Sequence, residues 1–175
     1  MVRIEDLTFG YSGGGFRLRV PDFTLGDGER LAVVGPSGSG KTTLLNLIAG
    51  ILTPEAGRID VAGTEVSSLS EAERRRFRAS QIGFVFQDFA LLDYLSARQN
   101  IYYPYRITPA LVLDDAAKER AQQLATACGI GDKLDRHPGG LSQGEQQRVA
   151  ICRALITQPK LILSDEATGN LDPDS

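Results

Sequence analysis

Phe16, Leu18 and Val20 alternate with Arg17 and Arg19, the period-two pattern of a strand with one buried face. Asp27-Gly28 then marks a turn into the apolar run Leu31-Ala32-Val33-Val34, which reads as a second strand. The stretch Thr43–Ala49 has helical spacing. Arg58-Ile59-Asp60-Val61, Ala62-Gly63 and Thr64-Glu65-Val66 read as a hairpin. Residues 71–78 are strongly charged and predict a solvated helix capped by Ser70, with Glu73 at the reciprocal position. Residues 89–140 read as helices and connecting loops: Thr108-Pro109 opens one helix, and Ala117, Ala121, Leu124 and Cys128 form a stripe that Gly129 ends. Ser142 and Glu145 form an S-x-x-E box, so a helix begins there and runs through Val149, Ala150, Ile151 and Ala154. Leu161-Ile162-Leu163 reads as a buried parallel strand. The pattern is α/β: a mixed core, an antiparallel β-subdomain and a helical insert, with no internal repeat and no low-complexity segment.

Chemistry enters at the junction of the second strand and the first helix. Gly35, Pro36, Ser37, Gly38, Ser39, Gly40, Lys41 and Thr42 complete a G-x-x-x-x-G-K-[ST] loop, followed by Thr43. The glycines let successive backbone N–H groups point inward, where they and the positive end of the helix hold a polyphosphate. Lys41 reaches its β and γ phosphates, and the Thr42 hydroxyl suits Mg²⁺. The loop alone does not separate a transport motor from a GTPase, a kinase or a repair ATPase. A second site sharpens the reading. Leu161–Leu163 ends in Ser164-Asp165-Glu166, two carboxylates at the C-terminal end of a predicted parallel strand, where α/β sheets bind ligands. Asp165 suits a metal held through water, and Glu166 suits the base that deprotonates a water attacking the γ-phosphate.

Leu141-Ser142-Gln143-Gly144-Glu145-Gln146-Gln147-Arg148 lies between the two, and with it the chain resembles the ATP-binding cassette (ABC) ATPase family over nearly its whole length. The resemblance implies a P-loop NTPase core of RecA-like type and one domain over 1–175. Residues 1–87 would hold the β-subdomain and phosphate-loop core, 88–141 the helical subdomain, and 158–175 the carboxylate strand and following loop. It implies ATP and Mg²⁺ as ligands. Tyr11 would stack on the base, with Phe9 and Phe16 reading as core; Gln87 would touch the metal. Ser142, Gly144 and Glu145 would meet ATP bound by a second copy in a head-to-tail homodimer, and Asp172 would cross that interface. A transmembrane permease subunit is the implied partner, docking on residues 88–105 with their four tyrosines. The branch most similar is that of lipoprotein release and macrolide export. A regulatory ATPase of the cell-division type, which signals without moving a solute, is the alternative; a DNA-repair ATPase of the superfamily fits less well, because the insert after Gln87 is short.

Three positions depart from the family pattern. Gln143 stands where a glycine is usual, Ala167 where proline is common, and the histidine that the family places on a later strand would fall beyond Ser175. His137 precedes the signature and reads as a loop residue. The expectation is therefore a C-terminally truncated domain that binds nucleotide but turns it over weakly.

Composition narrows partners and compartment. Lys and Arg number 19 against 22 Asp and Glu, a net charge of −3, which argues against nucleic acid as a partner. Cys128 and Cys152 read as isolated, with neither a disulfide framework nor a metal site. The start carries no signal peptide and no apolar run is long enough to span a bilayer. The expectation is a cytoplasmic protein, peripheral at the inner face of the cell membrane and reaching it only through its partner.

Overall fold

The computed structural model describes residues 1–165, which form two compact units, Met1–Arg78 and a second that begins at Ala79. The first unit is built on an antiparallel sheet of order β2-β1-β3-β4, with β1 at Val2–Gly10, β2 at Arg17–Leu25, β3 at Ala56–Val61 and β4 at Thr64–Glu65. Val2 and Ile4 face the core, and so do Leu7 and Phe9, although strict alternation would turn the second pair outward. Asp6 resolves the conflict. Its φ of 46° adds a residue to β1 against β3, shifting the register between Glu5 and Thr8, so all four side chains share one face. Pro21 on the edge strand β2 sits between the pairs Glu5↔Asp22 and Leu7↔Val20, where its lack of an N–H is tolerated.

The hairpin of residues 58–66 forms as expected. Ala62 and Gly63 are both left-handed, at φ 51° and 82°, the geometry whose twist matches paired strands, and the Gly63 N–H donates to Asp60 Oδ1 at 3.1 Å. The first helix, α1, is Lys41–Ile48, and α2 is Glu71–Gln81. Ser70 caps α2 reciprocally with Glu73: the Ser70 N–H donates to Glu73 Oε2 at 2.8 Å. One expectation fails here. Residues 31–34 are not a strand; Leu31, Val33 and Val34 are 56%, 44% and 89% exposed. Apolar composition favours a strand, but a ladder needs a partner, and none of the described residues pairs with this run.

In the second unit β5 (Ile82–Val85) and β6 (Leu161–Ser164) pair in parallel. The β6 strand is buried only in part, since Leu163 is 6% exposed and Ile162 53%. The helices are α3 (Ala97–Ile101), α4 (Tyr103–Ile107), α5 (Asp115–Ala127) and α6 (Gln143–Leu155). Backbone crosses closely at Gly83, where a Cβ would lie 2.4 Å from Ala154 O, so α6 can lie down on β5. Ile101, Ala125, Ile130, Val149, Cys152 and Ile156 are fully enclosed and form the main core.

Thr108-Pro109 does not open a helix. Thr108 ends α4 in an extended conformation and its hydroxyl accepts from Ala110 N–H, so the next helix waits for Asp114, whose carboxylate accepts from Ala117 N–H at 2.8 Å. The stripe on α5 is centred on Ala117, Ala121 and Ala125, with Leu124 and Cys128 half-buried, and Gly129 at φ 69° ends it. The cysteines are not isolated from each other: Cys128 packs against the core cluster that holds Cys152, both remain free, and burial, with Cys128 close by, pushes the Cys152 thiol well above its ordinary range. Spacing along the chain carries no sign of this contact.

Gly57 separates steric from conformational need. At φ 91° its Cβ would lie 2.5 Å from Asp6 O, against the bulge, whereas a Cβ on Gly63 meets nothing. Gly63→Ala should cost about 1–2 kcal/mol from handedness alone, and Gly57→Ala clearly more. Urea unfolding of the two variants measures the difference, and equal losses would show that the bulge does not need the close approach.

Candidate functional site

The phosphate loop lies wholly within the first unit. Gly38 and Gly40 are left-handed, at φ 78° and 98°, and Gly40 is the N-cap of α1 with no side chain capping the helix and no acidic residue in its first turn. The N–H groups at that end are thus left for an anion. Lys41 Nζ donates to Gly35 O at 2.8 Å and to Pro36 O at 3.1 Å, which turns its ammonium into the concave side of the loop. Residues 35–39 and Thr42 are exposed. Two close approaches fix the loop: a Cβ on Gly35 would lie 2.9 Å from Ser39 Oγ, and one on Gly40 2.8 Å from Phe16 Cζ.

Tyr11 stands beside this loop. Its hydroxyl pairs with Thr43 Oγ1 at 3.1 Å, its ring meets Phe9 edge-on at 4.9 Å and Phe16 at 5.9 Å, and it stays 47% exposed. Phe9 is 6% exposed and belongs to the core. Phe16 instead covers Gly40, a contact that alternation of residues 16–20 did not reveal.

In the second unit Gln87 and Asp165 follow the C-terminal ends of β5 and β6. Val85 is in register with Ser164, and the Asp165 N–H donates to Val85 O at 3.0 Å, so both residues sit on one edge of the parallel pair. Asp165 is 7% exposed and Gln87 is exposed. Glu166 and Asp172 lie outside the described residues.

Ser142 caps α6 as the sequence predicts. Its Oγ accepts from Glu145 N–H at 3.3 Å and its N–H donates to Glu145 Oε2 at 2.8 Å. That N–H, and Lys133 at 3.4 Å, hold the Glu145 carboxyl below its ordinary value of 4.5. Gln146 Nε2 donates to Pro138 O and Leu141 O and steadies the turn before the cap. Ser142, Gln143 and Gly144 are exposed, and a Cβ on Gly144 would meet nothing. His137 is an exposed loop residue with Nδ1 3.3 Å from Asp93 O. A third capping box, Ser96 with Gln99, starts α3, and its S-x-x-Q spacing is visible in the chain.

A glycine loop cradling an open helix end in the first unit, and in the second a parallel strand pair with a carboxylate at its C-terminal edge, are the parts of a P-loop nucleotide-binding protein. Residues 18–169 match the ABC transporter family, and the chain belongs to it. It is 46% identical, over 88% of its length, to the lipoprotein-releasing system ATP-binding protein LolD 1 of Caulobacter vibrioides, of which the alignment covers 65%. It is 43% identical over 99% of its length to the LolD 1 protein of Rhodospirillum rubrum, covering 77% of that relative. Among solved structures, a dimeric ATP-binding cassette in a post-hydrolysis state bound to ADP and Pi superposes with a TM-score of 0.87 at 32% identity, over 99% of this chain and 77% of that one. The fold is accordingly the α/β cassette fold. Among the described residues no helix is long and apolar enough to cross a membrane.

The Glu145 carboxylate gives the α6 cap a pH dependence. Its folded pKa lies below the unfolded one, so the stability it contributes is present above 4.5 and is lost as the pH falls through the folded value. Glu145→Gln keeps an acceptor but cannot titrate. Its acid-unfolding curve, followed by circular dichroism, should start lower at neutral pH and converge on the wild type below pH 4.5; two parallel curves would remove Glu145 from the cap's energetics.

Proposed function

We propose that this chain is the ATP-binding and ATP-hydrolysing subunit of a membrane transporter, working at the inner face of the cell membrane. It pairs with a transmembrane permease and powers lipoprotein release or export. The supporting observation is the uncapped N-terminus of α1 behind Gly38 and Gly40, with Lys41 turned into the loop. The names of the relatives supply the kind of cargo. In this reading residues 1–87 form the β-subdomain and phosphate-loop core, 88–141 the helical subdomain that docks the permease, and 158–175 the carboxylate strand and its following loop.

ATP binds with its phosphates along the N–H groups of residues 35–43 and its base on Tyr11, where stacking contributes about 1–3 kcal/mol without selecting one base edge. The Thr42 hydroxyl, the Gln87 amide oxygen and the Asp165 carboxylate are hard oxygen donors of the kind Mg²⁺ takes, and these three would hold it. Mg²⁺, when bound, neutralises charge developing on the β and γ oxygens. Glu166 takes a proton from water as that water attacks the γ-phosphorus and the bond to the β–γ bridging oxygen breaks. Two copies pair head to tail on ATP binding. Ser142, Gly144 and the N–H groups of α6 then face the γ-phosphate held by the other copy, and Asp172 crosses between them. Gly144, which nothing in its own chain requires to be small, suits a close approach from outside.

At a hundredfold excess of Mg-ATP over Kd, binding should stabilise the chain by about 2.7 kcal/mol, a melting shift of roughly 5–10 °C at this length. Lys41→Ala should abolish most of that shift, and an equal shift in both proteins would sink the assignment. Glu166→Gln separates binding from chemistry. It should keep the thermal shift while phosphate release drops by about 10²–10³, and turnover that survives the substitution would remove Glu166 as the base.

A further inference from the structure

Directly after β5 the chain turns through Gln87-Asp88-Phe89-Ala90, and Phe89 and Ala90 are both left-handed, at φ 61° and 44°. L residues rarely adopt this conformation, and a bulky one least of all, so two in succession persist only where their surroundings over-determine them. Three contacts do so. The Phe89 ring is 5% exposed among Val85, Ala150 and Ala154; its N–H donates to Phe86 O at 3.0 Å; and Arg153 of α6 donates from one guanidinium nitrogen to Ala90 O at 2.6 Å and from the other to Phe89 O. Burial lowers the pKa of Arg153 from its ordinary value, and the Asp88 carboxylate opposes that effect. The guanidinium fork is thus spent on two successive carbonyls of one strained turn.

We infer that Arg153 is a positioning residue: it holds the Phe89–Ala90 turn in its left-handed form and so fixes Gln87 at the edge of the parallel strands, tying that residue to the helix that Ser142 begins. The inference rests on the proposed role of Gln87 toward Mg²⁺. Lysine carries the same charge but has no planar fork to bridge two acceptors, so Arg153→Lys removes the clamp with little loss of packing. Glycine at position 90 adopts a positive φ freely. Ala90→Gly should therefore lower the need for the clamp.

The test follows the ATP-dependent melting shift against Mg²⁺ concentration in the wild type, Arg153→Lys, Ala90→Gly and the double variant. Arg153→Lys should raise the Mg²⁺ midpoint about tenfold, a change of about 1.4 kcal/mol, while the shift at saturating Mg²⁺ stays. Exchange of the Phe89 amide should quicken with it, and that of Ala121–Ala125 in α5 should not. Ala90→Gly alone should keep the wild-type midpoint and melting temperature, and in the double variant it should recover at least half of the loss. An unchanged midpoint in Arg153→Lys would overturn the inference, as would a loss that Ala90→Gly fails to recover, a lowered melting temperature in Ala90→Gly alone, or faster exchange in α5 as well. Persistence of the nucleotide shift in Lys41→Ala would instead remove the ATP reading itself, so the two failures are distinguishable.

Discussion

Every α-helix leaves its first N–H groups without an intrahelical partner, and this protein treats two of those ends in opposite ways. At α6 the Ser142 hydroxyl and the Glu145 carboxylate accept from two of the N–H groups, those of Glu145 and Ser142, and so cap the helix start from within. At α1 the cap is Gly40, which has no side chain to offer, and the first turn carries no acid. A conventional cap there would have stabilised the empty protein by about 1 kcal/mol. Forgoing it leaves donors whose natural partner is an anion, and the loop's geometry follows from that choice: Gly38 and Gly40 supply positive φ, Phe16 covers the glycine from outside, and Tyr11 anchors to Thr43 inside the same turn.

Those loop contacts come from β1, β2 and the segment between them, so the cradle is shaped inside the first unit. The bulge at Asp6 matters for this reason, since it keeps Leu7 and Phe9 on the core face and leads the strand end toward Tyr11 with its ring against Phe9. The ion pairs of the sheet, Arg3 with Glu5 and Arg58 with Asp60 and Glu65, each have an exposed arginine partner and contribute little. Side-chain burial carries the sheet.

What could be read from the chain was what short sequence decides. The phosphate loop, the Ala62-Gly63 turn and the Ser70 and Ser142 caps need only a few neighbouring residues, and each appears where the sequence put it. Residues 31–34 failed because a ladder is a pairing between distant segments, and Thr108-Pro109 failed because Thr108 spent its hydroxyl on a turn while Asp114 competed as a cap a few residues on. The Cys128–Cys152 contact, the Phe16 cover over Gly40 and the Arg153 clamp join positions tens of residues apart, so no local pattern announces them. Glu166 and Asp172 came from resemblance and adjacency to Asp165 and lie outside the described residues.

The second unit shows how a parallel strand pair gathers residues at one edge. Because β5 and β6 run the same way in register, their chain exits coincide, and the residues just past them, Gln87 and Asp165, are delivered to one edge without any loop having to reach. Position past a strand end is cheap to specify but poorly fixed, since the chain is free to turn after the last ladder bond. Asp165 is secured by the N–H it gives to Val85 O. Gln87 has the turn of Phe89 and Ala90 behind it, an unfavourable conformation held by a buried ring and a guanidinium from α6. Strain of this kind is maintained only by packing on several sides at once. Placing α6 against β5 at Gly83 therefore does more than close the core, since the same helix then brings Arg153 to the turn and presents Ser142 at its other end.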